Sequence, residues 1–155
     1  MRLKILWPGK TKSKQIKDLQ DLYIQKISHL SKFRLIETRA SKGIDEKNRH
    51  KILKIESEGL EKYFNRDYII CLSNNGKEID SREMAQMLRE KEMHFPYSVT
   101  FVAGGFLGLS RQVLDQAHFV LSLSRMTFSH ELIRILLLEQ IYRSLTIMKG
   151  KNYAK

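Results

Sequence analysis

The segment SVTFVAGGFLG, residues 98–108, combines two features from which the fold of this chain is predicted. Ser98–Ala103 is a short apolar run of the kind that forms a buried strand. The sequence GGFLG follows it directly, and such a turn lets the backbone approach a ligand closely because glycine has no Cβ. A plain tight connection between a strand and a helix explains the turn equally well. The dinucleotide-binding fingerprint is excluded, because it needs G-x-G-x-x-G.

Strand patterns alternate with helical patterns on both sides of this segment. The predicted strands are Arg2–Trp7, Phe33–Arg39, Tyr68–Leu72, Ser98–Ala103 and Phe119–Leu123, and the predicted helices are Lys12–Leu30, Asp45–Phe64, Ser81–Met93, Ser110–Ala117 and Ser129–Met148. Such alternation is typical of a mostly parallel α/β sheet with helices on both faces. We predict one domain over residues 1–155, with Ser81 as the N-cap of the third helix and a turn at residues 73–76.

Three loops of this predicted sheet are candidates for a binding site, because ligands bind at the carboxyl ends of parallel strands. These loops are Leu72–Gly76, Gly104–Gly108 and Leu123–Ser129. In the third, backbone amides and carbonyls are suited to holding an adenine edge between Met126 and Phe128. The alternative is that Ser129 only caps the last helix and that His130 is solvated in its first turn.

Positive charge is concentrated in the first part of the chain. The net charge is +11. Residues 1–66 hold 17 Lys and Arg against 8 Asp and Glu, whereas residues 67–148 are close to neutral. This distribution suits a polyanionic partner such as nucleic acid, whose phosphates release counterions when Lys and Arg approach. A basic surface that only keeps the protein in solution is the competing interpretation.

Other patterns argue against several classes of protein. Cys71 is the single cysteine and lies in an apolar run, so we expect a buried small side chain in a reducing compartment. The five histidines show no zinc-type spacing, so we expect no metal. No run reaches the roughly 18 apolar residues of a membrane span, and the N-terminus does not resemble a signal peptide. We therefore expect no membrane association and a cytoplasmic location.

The last predicted helix, Ser129–Met148, is apolar on almost every side. A helix of this kind must be buried all round. At the end of a small chain, the second side is expected to face another subunit, which predicts a homodimer. The alternative is that the domain itself covers the whole helix.

Taken together, four segments in the final third resemble one known family. They are FVAGG at 101–105, GL at 108–109, LSLSRMTFSH at 121–130 and RILLLEQIYR at 134–143. On these segments the chain resembles the RlmH-type methyltransferases of the SPOUT class. That resemblance implies a C-terminal trefoil knot, a homodimer, and methylation of N3 of a pseudouridine in large-subunit (23S) ribosomal RNA within the ribosome.

The resemblance also implies S-adenosylmethionine as cofactor. By position, its binding residues would be Leu72, Gly104, Gly105, Leu123, Ser124, Arg125, Met126, Thr127 and Phe128. His130 and Tyr153 are the candidate catalytic residues near the reacting atoms. The expected RNA phosphate contacts are Arg125, Arg143, Lys151 and Lys155.

Two positions depart from the pattern of this family. Ser129 stands where proline is common, and Ala154 stands where histidine is usual in the tail. The second departure leaves two further hypotheses open. One is a non-catalytic or weakly active factor that binds RNA or ribosomes and kept the fold; the other is a methyltransferase of another RNA.

Overall fold

The computed structural model describes residues 1–151 and contains five strands and five helices in strict alternation. The strands are β1 (Arg2–Pro8), β2 (Lys32–Thr38), β3 (Tyr68–Glu78), β4 (Val99–Val102) and β5 (Phe119–Ser122). The helices are α1 (Lys14–Ser28), α2 (Arg49–Glu61), α3 (Ser81–His94), α4 (Arg111–Leu114) and α5 (His130–Met148). The predicted order of elements is confirmed.

All strand pairings in the sheet are parallel, and the strand order is β2-β1-β4-β3-β5. The carboxyl ends of β3, β4 and β5 therefore lie side by side at one edge of the sheet. Because β1 is next to β4, the chain that follows β1 borders the same edge.

Helices cover both faces of the sheet, as predicted. One apolar cluster joins Ile27 of α1, Met84 of α3 and Leu137 of α5 to one face of the strands. The other joins Leu60 of α2 and Val113 of α4 to the opposite face. Successive side chains of a strand point to opposite faces, so a central parallel strand must be apolar throughout.

The start of α3 differs from the prediction. Asp80, and not Ser81, is the N-cap, and its carboxylate accepts hydrogen bonds from the amides of Arg82 and Glu83. Glu83 in turn accepts from the amide of Asp80 at 2.7 Å, which completes a capping box. The hydroxyl of Ser81 is engaged elsewhere, because it donates to Gln140 of α5.

β3 runs to Glu78, so the turn predicted at residues 73–76 is wrong: these residues belong to the strand, because pairing with β5 resumes beyond them. Leu72 and Lys77 both pair with Leu121 of β5, so the register shifts between them and residues 73–76 form an irregularity in β3. A Cβ on Gly76 would lie 2.7 Å from the carbonyl oxygen of Val120, which shows how closely this irregular segment approaches β5. The trefoil knot stays a prediction.

α5 packs against α1 and α3, and it is less completely covered than its sequence indicates. Leu137, Leu138 and Ile141 are fully buried, whereas Leu132 is 39% exposed. Ser129 caps this helix by accepting a hydrogen bond from the amide of Leu132. Serine thus contributes a cap that proline, the residue common in the resembled family, does not provide.

Cys71 is fully buried, as predicted. Burial raises the pKa of its thiol to about 12, so the thiolate is scarce at neutral pH. This cysteine is a core residue and not a nucleophile. Within residues 1–151, no helix combines the length and apolar character that crossing a membrane requires.

Candidate cofactor cleft

A cavity of about 410 Å³ opens at the carboxyl ends of β3, β4 and β5. All three loops that the sequence predicts as candidates for a binding site contribute residues to its walls. Of the nine predicted cofactor residues, eight line the cavity: Leu72, Gly104, Gly105, Leu123, Ser124, Met126, Thr127 and Phe128. Ligand pockets for molecules of nucleoside size have volumes of this order.

The turn after β4 is built on the absence of side chains. A Cβ added to Gly104 would overlap the carbonyl group of Gly108 and lie 2.8 Å from its Cα. Gly108 has φ +74°, a conformation that side-chain-bearing residues rarely adopt, and its amide donates to the carbonyl of Gly105 at 3.0 Å. The turn therefore closes tightly and leaves its backbone facing the cavity.

The opposite wall is the loop that follows β5. The hydroxyl of Ser124 accepts a hydrogen bond from the amide of Met126 and so shapes the start of the loop. Met126 is 74% exposed and Phe128 is 36% exposed. Across the cavity, Phe106 is also exposed. Three large apolar side chains thus surround the opening, as expected for a site that receives a flat, partly apolar ligand.

His130 lies at the base of this loop, on the first turn of α5, and it also lines the cavity. Burial lowers the pKa of its imidazole below the usual range, and the positive charges of Arg134 and Lys12 lower it further against an opposing effect of Glu131. The imidazole is therefore mostly neutral at pH 7, which is the form able to accept a proton.

A buried polar cluster behind the cavity was not found from the sequence. Arg134 is only 1% exposed, and its guanidinium stacks over Trp7 and donates to the carbonyl of Pro8 and the hydroxyl of Thr11. Burial lowers the pKa of Arg134 to about 10, so it remains charged at pH 7. The sequence does contain one signal for this cluster. Arg134 is a charged residue within a largely apolar helix, and a charge that is buried there needs partners.

The predicted RNA contacts within the described residues do not line the cavity. Arg125 is exposed in the loop after β5 and is not among the residues that line the cavity. Arg143 is half-buried and forms an ion pair with Glu139 at 2.9 Å, and Lys151 is exposed after α5. Tyr153, Ala154 and Lys155 lie outside the described residues. Within the described part of the chain, no three His, Cys, Asp or Glu side chains come together as a metal site.

The parallel sheet and the cleft at the strand ends define an α/β protein with a nucleoside-sized site. A family model described as "Predicted SPOUT methyltransferase" matches residues 1–154. The chain belongs to this SPOUT methyltransferase family.

Curated relatives match over nearly the full chain. The "Ribosomal RNA large subunit methyltransferase H" of Thermodesulfovibrio yellowstonii is 40% identical over 98% of this chain and 97% of its own length. The protein of the same name from Streptococcus pneumoniae is 39% identical over 100% of both chains.

Solved structures show the same fold at low sequence identity. A "probable methylase family protein" from Haemophilus influenzae has a TM-score of 0.56 and 17% identity, with 99% of this chain and 72% of that chain covered. A "probable methyltransferase" from Bordetella pertussis has a TM-score of 0.56 and 14% identity, with 93% and 96% covered.

Proposed function

We propose that this protein transfers a methyl group from S-adenosylmethionine to N3 of a pseudouridine in large-subunit ribosomal RNA. The single observation that carries the proposal is the joining of the three post-strand loops into one nucleoside-sized cleft in a chain of the SPOUT methyltransferase family. The names of the full-length relatives support large-subunit ribosomal RNA as the substrate. Because ribosomes work in the cytoplasm, we propose a cytoplasmic location for this protein.

The residues of the cleft fit this cofactor. The backbone of Gly104 and Gly105 leaves room for a ligand, and the apolar side chains of Met126 and Phe128 suit the faces of an adenine ring. When bound, S-adenosylmethionine supplies a methyl group on a positively charged sulfonium. The protein must hold the target base beside it in a fixed orientation, which is worth up to about 7–11 kcal/mol in ideal cases.

The target nitrogen must also lose its proton, and His130 is the described residue best placed to accept it. It lines the cavity, it is half-buried, and its lowered pKa keeps it neutral. Tyr153 is the second candidate. Arg125, Arg143, Lys151 and Lys155 are proposed to contact phosphates and so to position the RNA without reading its sequence. The base is expected to swing out of its loop to enter the cleft.

A homodimer is part of the proposal. α1 and α5 pack against each other, and each leaves large apolar side chains exposed: Leu19 and Leu22 on α1, and Leu132 on α5. A second copy that covers these side chains would complete the burial that the sequence of α5 predicts.

The direct test is incubation of purified ribosomes and of free ribosomal RNA with this protein and methyl-labelled S-adenosylmethionine, followed by mass mapping of the product. We expect one new methyl group, on a pseudouridine of 23S RNA. Cofactor binding without transfer to any ribosomal substrate would instead indicate a non-catalytic binding factor. Transfer only to transfer RNA would indicate a methyltransferase of another RNA.

Replacing His130 with asparagine is expected to lower kcat about 10²-fold or more, because the variant lacks the neutral imidazole that accepts the proton.

In the unmodified protein, kcat should stay constant above pH 6.5 and fall as the pH drops through the lowered pKa of His130. The pH profile of kcat checks this assignment. An unchanged acidic limb in the asparagine variant would show that another group takes the proton.

Ending the chain at Gly150 is expected to lower methylation of ribosomes about 10²-fold while cofactor affinity stays the same, because the tail is proposed to act on the substrate. Calorimetry and single-turnover kinetics measure the two effects separately. Full methylation by the shortened chain would show that the tail is not part of the substrate site.

Replacing Ala154 with histidine in the full chain tests the departure from the family, and a large gain in turnover would show that alanine limits the activity of this protein.

A further inference from the structure

Glu56 of α2 is a buried carboxylate that the proposed mechanism does not use. Glu56 as a whole residue is only 6% exposed. Within residues 1–151, no hydrogen bond and no ion pair within 4 Å reaches its carboxylate, but its oxygens are not among the fully buried polar atoms that lack a partner, so solvent still reaches them. A mostly buried charge of this kind is costly unless water or a cation compensates it.

The position of this carboxylate links it to the cofactor cleft. Its two oxygens lie 3.0 and 3.1 Å from the place that a Cβ of Gly105 would occupy. Gly105 itself lines the cavity. The backbone of one glycine therefore stands between the carboxylate and the space proposed for the cofactor, and any side chain at this position would fill the gap.

The positive charge of Arg134 offsets the burial of Glu56 only in part. Burial raises the pKa of its carboxyl, and Arg134 lowers it in part. The guanidinium of Arg134 is engaged with Trp7, Pro8 and Thr11. Glu37 and Glu131 also act on the same guanidinium, and His130 and Lys12 are the other ionisable groups on this side. One buried cation thus interacts with three carboxylates, those of Glu37, Glu56 and Glu131.

We propose that Glu56 is a selectivity residue whose negative charge, acting across Gly105, favours a cationic group of the cofactor. This inference rests on the proposed function. S-adenosylmethionine carries two cationic groups, the sulfonium and the amino group of its methionine end. Two unit charges about 10 Å apart at an effective dielectric constant of about 20 change a binding constant roughly tenfold.

The test compares three nucleosides by calorimetry: S-adenosylmethionine with both cations, S-adenosylhomocysteine with the amino group only, and 5′-methylthioadenosine with neither. In the Glu56→Gln variant, we expect the affinity for S-adenosylmethionine to fall about tenfold and that for methylthioadenosine to stay within about twofold. Loss of affinity for S-adenosylhomocysteine would identify the amino group as the partner, and its retention the sulfonium. Glu58→Gln, an exposed site on the same helix, is the matched control and should change nothing.

Equal weakening of all three nucleosides by Glu56→Gln would show that the residue only supports the fold, and unchanged binding of all three would show that its charge is not felt in the cleft. Either result overturns the inference and leaves the proposed function intact. If the unmodified protein binds none of the nucleosides, the proposed function fails and this inference fails with it.

A second measurement needs no variant. In the unmodified protein, the carboxyl carbon of Glu56 is followed by NMR as the pH is lowered. Its titration midpoint should be lower in the S-adenosylmethionine complex than in the methylthioadenosine complex, because a nearby cation favours the charged carboxylate. Identical midpoints in the two complexes would overturn the inference.

Discussion

Replacing Gly104 with alanine is expected to weaken the binding of S-adenosylmethionine about 100-fold. The new methyl group would overlap the carbonyl group of Gly108, and both sides of this contact are backbone, so no side chain can move away. The turn must open, and a displacement of about 1 Å at a site is enough for an effect of this size. Calorimetric titration of the folded variant with S-adenosylmethionine measures it.

Gly59→Ala is the matched control for this prediction. Gly59 lies in α2, and a Cβ there would meet the backbone of Arg39 at 3.3 Å, away from the cleft. The control should keep its cofactor affinity while losing about 1–3 kcal/mol of stability, because its new methyl group is tight against the backbone of Arg39. Cofactor binding by Gly104→Ala at the level of the unmodified protein would contradict the assignment of the turn to the site.

Replacing Arg134 with alanine is expected to lower the free energy of unfolding by about 3–5 kcal/mol. The substitution removes hydrogen bonds to Pro8 and Thr11, uncovers the ring of Trp7 and leaves the charge of Glu56 without its nearby cation. Urea unfolding at pH 7 measures the loss. The pKa of His130 should rise at the same time, because Arg134 is one of the charges that lower it.

Arg111→Ala serves as the comparison. Its side chain is 88% exposed, and its ion pair with Asp115 joins residues one turn apart, so the expected loss is below about 1 kcal/mol. A loss of the same size for both arginines would mean that the buried cluster has no special role in stability.

The order of elements and the place of the site could be predicted because both depend on local patterns. The apolar runs of β3 and β4 and the helical stripes between them are visible in the sequence, and parallel strands bring their carboxyl ends together by geometry. The activity could not be predicted in this way. On its residues alone, the loop at residues 121–130 is better explained by helix capping than by cofactor binding. The resemblance of the whole segment to a known family favours cofactor binding.

Features that depend on distant contacts were missed. Asp80 and Ser81 are both good capping residues. The structure separates them through the hydrogen bond of Ser81 to Gln140 of α5 and through the capping box of Asp80 with Glu83, the second of which is a local signal. The second part of β3 pairs with β5 across more than 40 residues of chain. The cluster around Arg134 joins α2, α5 and the end of β1, so no stretch of sequence contains it.

Residues 73–75 line the cavity, and Gly76 next to them lies against the backbone of β5. Strand pairing with β5 on both sides of this segment holds it in place. In the loop at residues 123–128, by contrast, Met126 and Phe128 are open to solvent. We therefore expect ligands to enter and leave the cleft past residues 123–128.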